Sequence, residues 1–82
     1  MPHYYFHIWS RDGLLMEDPI GLELAGLRPA HDESLRIIRE VLSAREWLDG
    51  LARGHEIRVL DRTGDVVLTV PFSDLSADET PL

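Results

Sequence analysis

The chain contains no cysteine and no lysine; all eight of its basic residues are arginine. The first absence excludes disulfide scaffolds, thiol catalysis and cysteine-based zinc sites together. The second stands against 15 acidic residues, a net charge of −7 and a pI near 4.8. That balance argues against non-specific binding to nucleic acid or to an anionic membrane surface. No apolar run approaches the roughly 18 residues needed to span a bilayer. The opening MPHYYFHIW has neither the basic start nor the long apolar stretch of a signal peptide. A cytoplasmic protein with no membrane attachment is the expectation. Glycine-rich phosphate loops are absent too, and none of Ser10, Ser34, Ser43, Ser73 and Ser76 sits in a nucleophile elbow.

What is present is one helix and several short apolar runs. Eighty-two residues leave room for one domain, expected over 1–75, with the polar and acidic 76–82 as a tail. A chain of this length buries only about 60–65 % of its unfolded surface. The longest periodic stretch is 27–49. At 100° per residue, Ala30, Ser34, Leu35, Ile37, Ile38, Val41, Leu42, Ala44 and Leu48 fall within an arc of roughly 160–180°, while Asp32, Arg36, Arg39, Glu40, Ser43, Glu46 and Trp47 lie outside it. An arc that wide suits a helix lying on a sheet rather than a coiled-coil seam. Gly26 is an acceptable N-cap, and Pro29 fits the first turn because its missing N–H has no partner there. Gly50 and Gly54 are both candidate stops, which places the helix end between 48 and 53.

Residues 3–9 are dense in aromatic and β-branched side chains, and alternation puts Tyr4, Phe6 and Ile8 on one face and His3, Tyr5, His7 and Trp9 on the other. Asp12-Gly13 reads as a hairpin turn, 14–16 as a short returning strand, 17–21 as a bend, and 22–24 as a stretch that extends or rejoins the edge. After the helix, Ile57 and Val59 alternate with Glu56, Arg58 and Leu60. A turn through Asp61 to Asp65, with Gly64 left-handed, leads into a last strand. There the reading puts Val66, Leu68, Val70 and Phe72 on the buried face, Val67 and Thr69 opposite, and Pro71 at a strand end or edge. The expected architecture is α+β: a small antiparallel β-sheet of three or four strands, in the order strand–strand–helix–strand–strand, with the amphipathic helix packed on one face.

Several motifs carry a resemblance: Met1-Pro2-His3-Tyr4-Tyr5-Phe6-His7, then Asp12-Gly13, Asp18-x-x-Gly21-x-Glu23-Leu24, the helix, and a closing hairpin from Asp61 to Phe72. In order and spacing the chain resembles a family of small bacterial proteins, rhizobial in type, classed as a domain of unknown function. It departs at the helix start, where Gly26 and Pro29-Ala30-His31 replace the family's usual Asp cap and Ala-rich turns. The resemblance implies the fold and brings no activity, ligand or catalytic residue.

Four histidines invite a metal reading. His3 and His7 share a strand face, but four residues at ~3.3 Å set them about 13 Å apart, too far to ligate one ion. Asp12, Glu17, Asp18 and Glu23 cluster at turns without a calcium-loop pattern. No metal, cofactor or catalytic residue is expected, and the chain reads as a non-enzyme. One helix covers one sheet face. The other would carry Tyr5, His7, Trp9, Arg58, Leu60 and Val67, with Trp47 off the apolar arc of the helix, and that mixture is more apolar than a solvated surface needs. Ordinary exposure with partial cover by 17–26 is one account. The functional expectation is an interaction module, a homodimer formed through the open sheet face or an edge, or one serving an unknown protein partner. The alternative is a small regulatory or nucleic-acid-associated protein that stacks bases on His7, Trp9 and Arg58.

Overall fold

The structure, a computed structural model, describes residues 1–43 and 54–74. It contains β1 (His3–Ser10), β2 (Gly13–Met16), β3 (Leu22–Glu23), α1 (Leu27–Leu42), β4 (Glu56–Leu60) and β5 (Val66–Pro71). The sheet runs β2-β1-β4-β5, antiparallel throughout, and β3 pairs with the first residues of β1. This is the expected α+β domain with one more strand, the two-residue β3 in the stretch read as rejoining the edge. Trp47, the helix end between 48 and 53, and the tail from 76 lie outside the described residues.

The sheet is laid out by its central pair. Tyr5, Phe6, His7, Ile8 and Trp9 of β1 stand opposite Leu60, Val59, Arg58, Ile57 and Glu56 of β4. Tyr4, Phe6 and Ile8 are buried on the helix side, with Ile57 and Val59 beside them, as a period of two requires. The first hairpin closes on Ser10 opposite Gly13, whose φ of 137° few other residues adopt. The second turns on Gly64, whose N–H donates to the Asp61 carbonyl at 3.0 Å. Pro71, the last residue of edge strand β5, is where a residue lacking an N–H disturbs the ladder least.

The helix lies over β4 and β5. Ala30, Ser34 and Ile38 line its buried face with no exposed surface. Leu35, Ile37, Val41 and Leu42 flank them against the core. Two small residues let the backbone approach the sheet, and the buried Ser34 hydroxyl is satisfied by donating to the Ala30 carbonyl at 3.0 Å. Gly26 caps the start without a side-chain bond, Pro29 sits in the first turn, and Ser43 closes the described end. On the outer face Arg36 bonds Glu33 and Glu40, which raise its pKa further. Such exposed pairs contribute only about 0.3–0.5 kcal/mol each.

One expectation is reversed. Leu60 pairs with Val66 while Val59 pairs with Leu68, so Val67 is an extra residue in β5. Opposed residues share a face. The bulge therefore turns Val66 to the open side, where it is 52 % exposed, and tucks Val67 against the core. An unbroken alternation puts these two valines the other way round.

Candidate functional site

Two regions of the surface are organised by more than solvation: the open face of the sheet with the outer edge of β1, and the edge strand β2.

On the open face, Tyr5, His7 and Trp9 form a row beside Leu60, Arg58 and Glu56. The structure brings together all of the expected face residues except Val67, which packs the other way, and Trp47, which is outside the described residues. The row is already engaged. The Arg58 guanidinium lies 4.2 Å from the Trp9 ring centroid, and its Nε donates to Glu56 at 2.5 Å. Arg58 therefore shields the Trp9 face and has its charge neutralised beside it. The His3 and Tyr5 rings pack at 5.0 Å. All of Tyr5, His7, Trp9, Arg58 and Leu60 are half-buried.

The outer edge of β1 is bordered by β2 at residues 8–10 and by β3 at residues 3–4. The gap between them is spanned by 18–21, and Asp18 is its pivot. Its Oδ2 accepts the Phe6 N–H at 3.1 Å, in place of a strand carbonyl. Its Oδ1 accepts the N–H groups of Ile20 and Gly21 at 3.1 and 3.0 Å. The Asp18 N–H in turn donates to His7 Nδ1 at 2.9 Å. Partial burial pushes the carboxyl up, but the Gly21, Phe6 and Ile20 donors outweigh it and hold its pKa below the ordinary carboxylate value. Two residues on, His3 Nε2 lies 2.8 Å from the Ile20 carbonyl. Gly21 has φ 76°, and a Cβ there would lie 2.5 Å from His3 Nε2 and 2.6 Å from the Tyr4 carbonyl. The Asp18-x-x-Gly21 motif is thus a structural strap: the Asp gathers N–H groups and the Gly lets the chain close on β1. Asp61-x-x-Gly64 repeats part of this logic, with Asp61 Oδ1 accepting from the Thr63 hydroxyl, Thr63 N–H and Asp65 N–H.

The edge strand β2 has a different character. Among the described residues nothing pairs with its outer side. Leu14, Leu15 and Met16 expose 45, 51 and 60 % of their surface. Leu15 is itself a bulged residue, since Ile8 pairs with Met16 and Trp9 with Leu14. A groove of about 230 Å³ lined by Ile8, Leu15, Met16 and Val41 runs from this edge toward the end of the helix. A second groove, of about 240 Å³, lies between Met1–His3 and Asp61–Thr63, where the Asp61 carboxylate is already occupied by its own turn.

Sequence reasoning did not single out Asp18, His3 or the Leu14–Met16 run as parts of a site. The signal for the last was three consecutive apolar residues in a short returning strand. The strap had only the Asp-x-x-Gly spacing to announce it. Among the described residues no group of three or more His, Cys, Asp or Glu side chains is placed to hold a metal ion. No helix among them is long and apolar enough to cross a membrane.

The described elements define a small α+β domain, a helix on a five-stranded antiparallel sheet. Residues 3–73 match DUF6894, a domain of unknown function, and the chain belongs to that family. No curated protein and no solved structure matches the chain.

Proposed function

We propose that this domain is a non-enzymatic interaction module that self-associates through the edge strand β2. The observation that supports this reading is the run Leu14-Leu15-Met16: three adjacent apolar side chains, each close to half exposed or more, on a strand whose outer side has no partner among the described residues. An unpaired edge without charge or proline is a template for another strand. The groove beside it extends the apolar surface. Both edges carry a bulge, and the opposite edge is better guarded by Pro71, which lacks an N–H. The open sheet face is a weaker candidate, because Arg58 and Glu56 already occupy the ground over Trp9. For the same reason the nucleic-acid reading has less support: Arg58 covers the stacking ring and is itself neutralised by Glu56, in a chain of net charge −7.

Light scattering over a range of concentrations tests the reading. A mass near twice 9.4 kDa is expected for the wild type. Leu15→Glu is expected to return it to the monomer while Trp9→Glu leaves it dimeric. The reverse pattern moves the interface to the open face, and a wild type that stays monomeric at every concentration overturns self-association. Retardation of labelled single-stranded DNA or RNA at low salt would favour the nucleic-acid reading instead.

A further inference from the structure

The two histidines that hold the strap, residues 18–23, are fixed in their tautomers by the backbone groups they meet. A carbonyl oxygen only accepts, so His3 Nε2, 2.8 Å from the Ile20 oxygen, carries a proton. An amide N–H only donates, so His7 Nδ1, 2.9 Å from the Asp18 nitrogen, is bare. Each ring therefore carries a proton on Nε2, and His7, whose Nδ1 is bare, is neutral. The next proton has opposite consequences at the two ends. On His3 it goes to Nδ1, which is buried, makes no hydrogen bond and lies 3.9 Å from the Glu23 carboxylate. That proton leaves the bond to Ile20 intact and completes an ion pair with β3. On His7 it goes to the nitrogen already accepting from Asp18, and turns an acceptor facing a donor into two donors face to face.

We infer that residues 18–23 form an acid-released strap, hinged at His3 and unlatched at His7. In mild acid its Asp18 end lets go of β1 while its Glu23 end stays held. Release withdraws the Asp18 carboxylate from the Phe6 N–H and opens the β1 edge between the positions covered by β3 and β2. Among the described residues, the groups that face His7 are the Asp18 carboxylate on the strap, Arg58 directly opposite on β4, Glu56 which binds Arg58, and Tyr5 on the same face of β1. Strand β2 contributes no titratable group, and β3 contributes Glu23 at the His3 end. Neither the strap nor its release depends on self-association through β2.

Amide hydrogen exchange followed by NMR on the ¹⁵N-labelled full chain tests the inference, between about pH 8 and pH 5.5, the range over which histidine changes charge. After correction for intrinsic rates, protection of the Asp18 and Phe6 amides is expected to fall by roughly 3- to 10-fold, the worth of one hydrogen bond. Ile57 and Val59, in the centre of the sheet, are expected to keep theirs. His7→Asn places a non-titrating oxygen near the position of Nδ1 and is expected to abolish the fall. Protection that is flat with pH in the wild type, or that falls equally in His7→Asn, overturns the inference. Should that variant fail to fold, the wild type alone decides: the Asp18 amide shift must follow the His7 ring nitrogens through their titration, and a shift that follows any other group overturns it.

Discussion

Phe6 donates its backbone N–H to the Asp18 carboxylate at 3.1 Å, at the one point along the outer edge of β1 where neither β2 nor β3 reaches. A side chain twelve residues away thus does the work of a strand. The same carboxylate holds Ile20 and Gly21, so a single residue organises the strap and closes the sheet edge.

Removing that carboxylate leaves three N–H groups without their acceptor. Asp18→Ala is expected to destabilise the domain by about 2–3 kcal/mol, a drop in Tm of roughly 10–20 °C. The pH dependence has a definite sign. The folded pKa lies below the unfolded value near 3.8, so while the strap is closed the stabilisation is complete above that value and is lost as the pH falls through the folded pKa. Urea midpoints measured from about pH 5 down to pH 2 in the His7→Asn background, where the strap stays closed in mild acid, should fall more steeply with Asp18 present than with Asp18→Asn. Parallel profiles would remove Asp18 from the account.

Gly21 and Gly64 both have positive φ, but only one is crowded. A Cβ at Gly21 meets the Tyr4 carbonyl and His3 within 2.6 Å, whereas at Gly64 nothing lies within 4 Å. Gly64→Ala should cost only the backbone penalty of about 1–2 kcal/mol. Gly21→Ala should cost distinctly more and detach β3 from β1, visible as lost amide protection at Leu22 and Leu24. Equal losses in the two variants would count against the close approach.

The bulge in β5 gives its own contrast. Val66 faces outward and Val67 inward, opposite to a regular alternation. Val66→Thr is expected within about 0.5 kcal/mol of the wild type, and Val67→Asp is expected to be severely destabilising because it drives a charge into the core margin. Thermal melts of the two variants decide between the bulged and the regular register.

Ile38 is fully buried at the centre of the helix face. Ile38→Ala is expected to cost about 2–5 kcal/mol, a large part of the stability of so small a core. Ile38→Asp should abolish folding. A melting temperature unchanged in either variant would refute this face of the helix.

The helix, the buried faces of β1 and β4, both glycine turns and the place of Pro71 follow from residue order alone. Periods of 3.6 and 2, and residues that tolerate or forbid particular backbone angles, are local properties, and they are written in the sequence. The bulge at Val67 is not, because Val66, Val67 and Leu68 fit a strand equally well on either face. Only the simultaneous pairing of Val59 with Leu68 and Leu60 with Val66 selects which valine is extra. The strap is the same kind of case. His7 and Asp18 lie 11 residues apart, and His3 and Ile20 lie 17 apart. Nothing in the spacing says that the two rings will meet backbone groups of opposite sense. That was decided when β3 folded back on β1, because a hydrogen bond between distant residues exists only after the chain has brought them within 3 Å of each other.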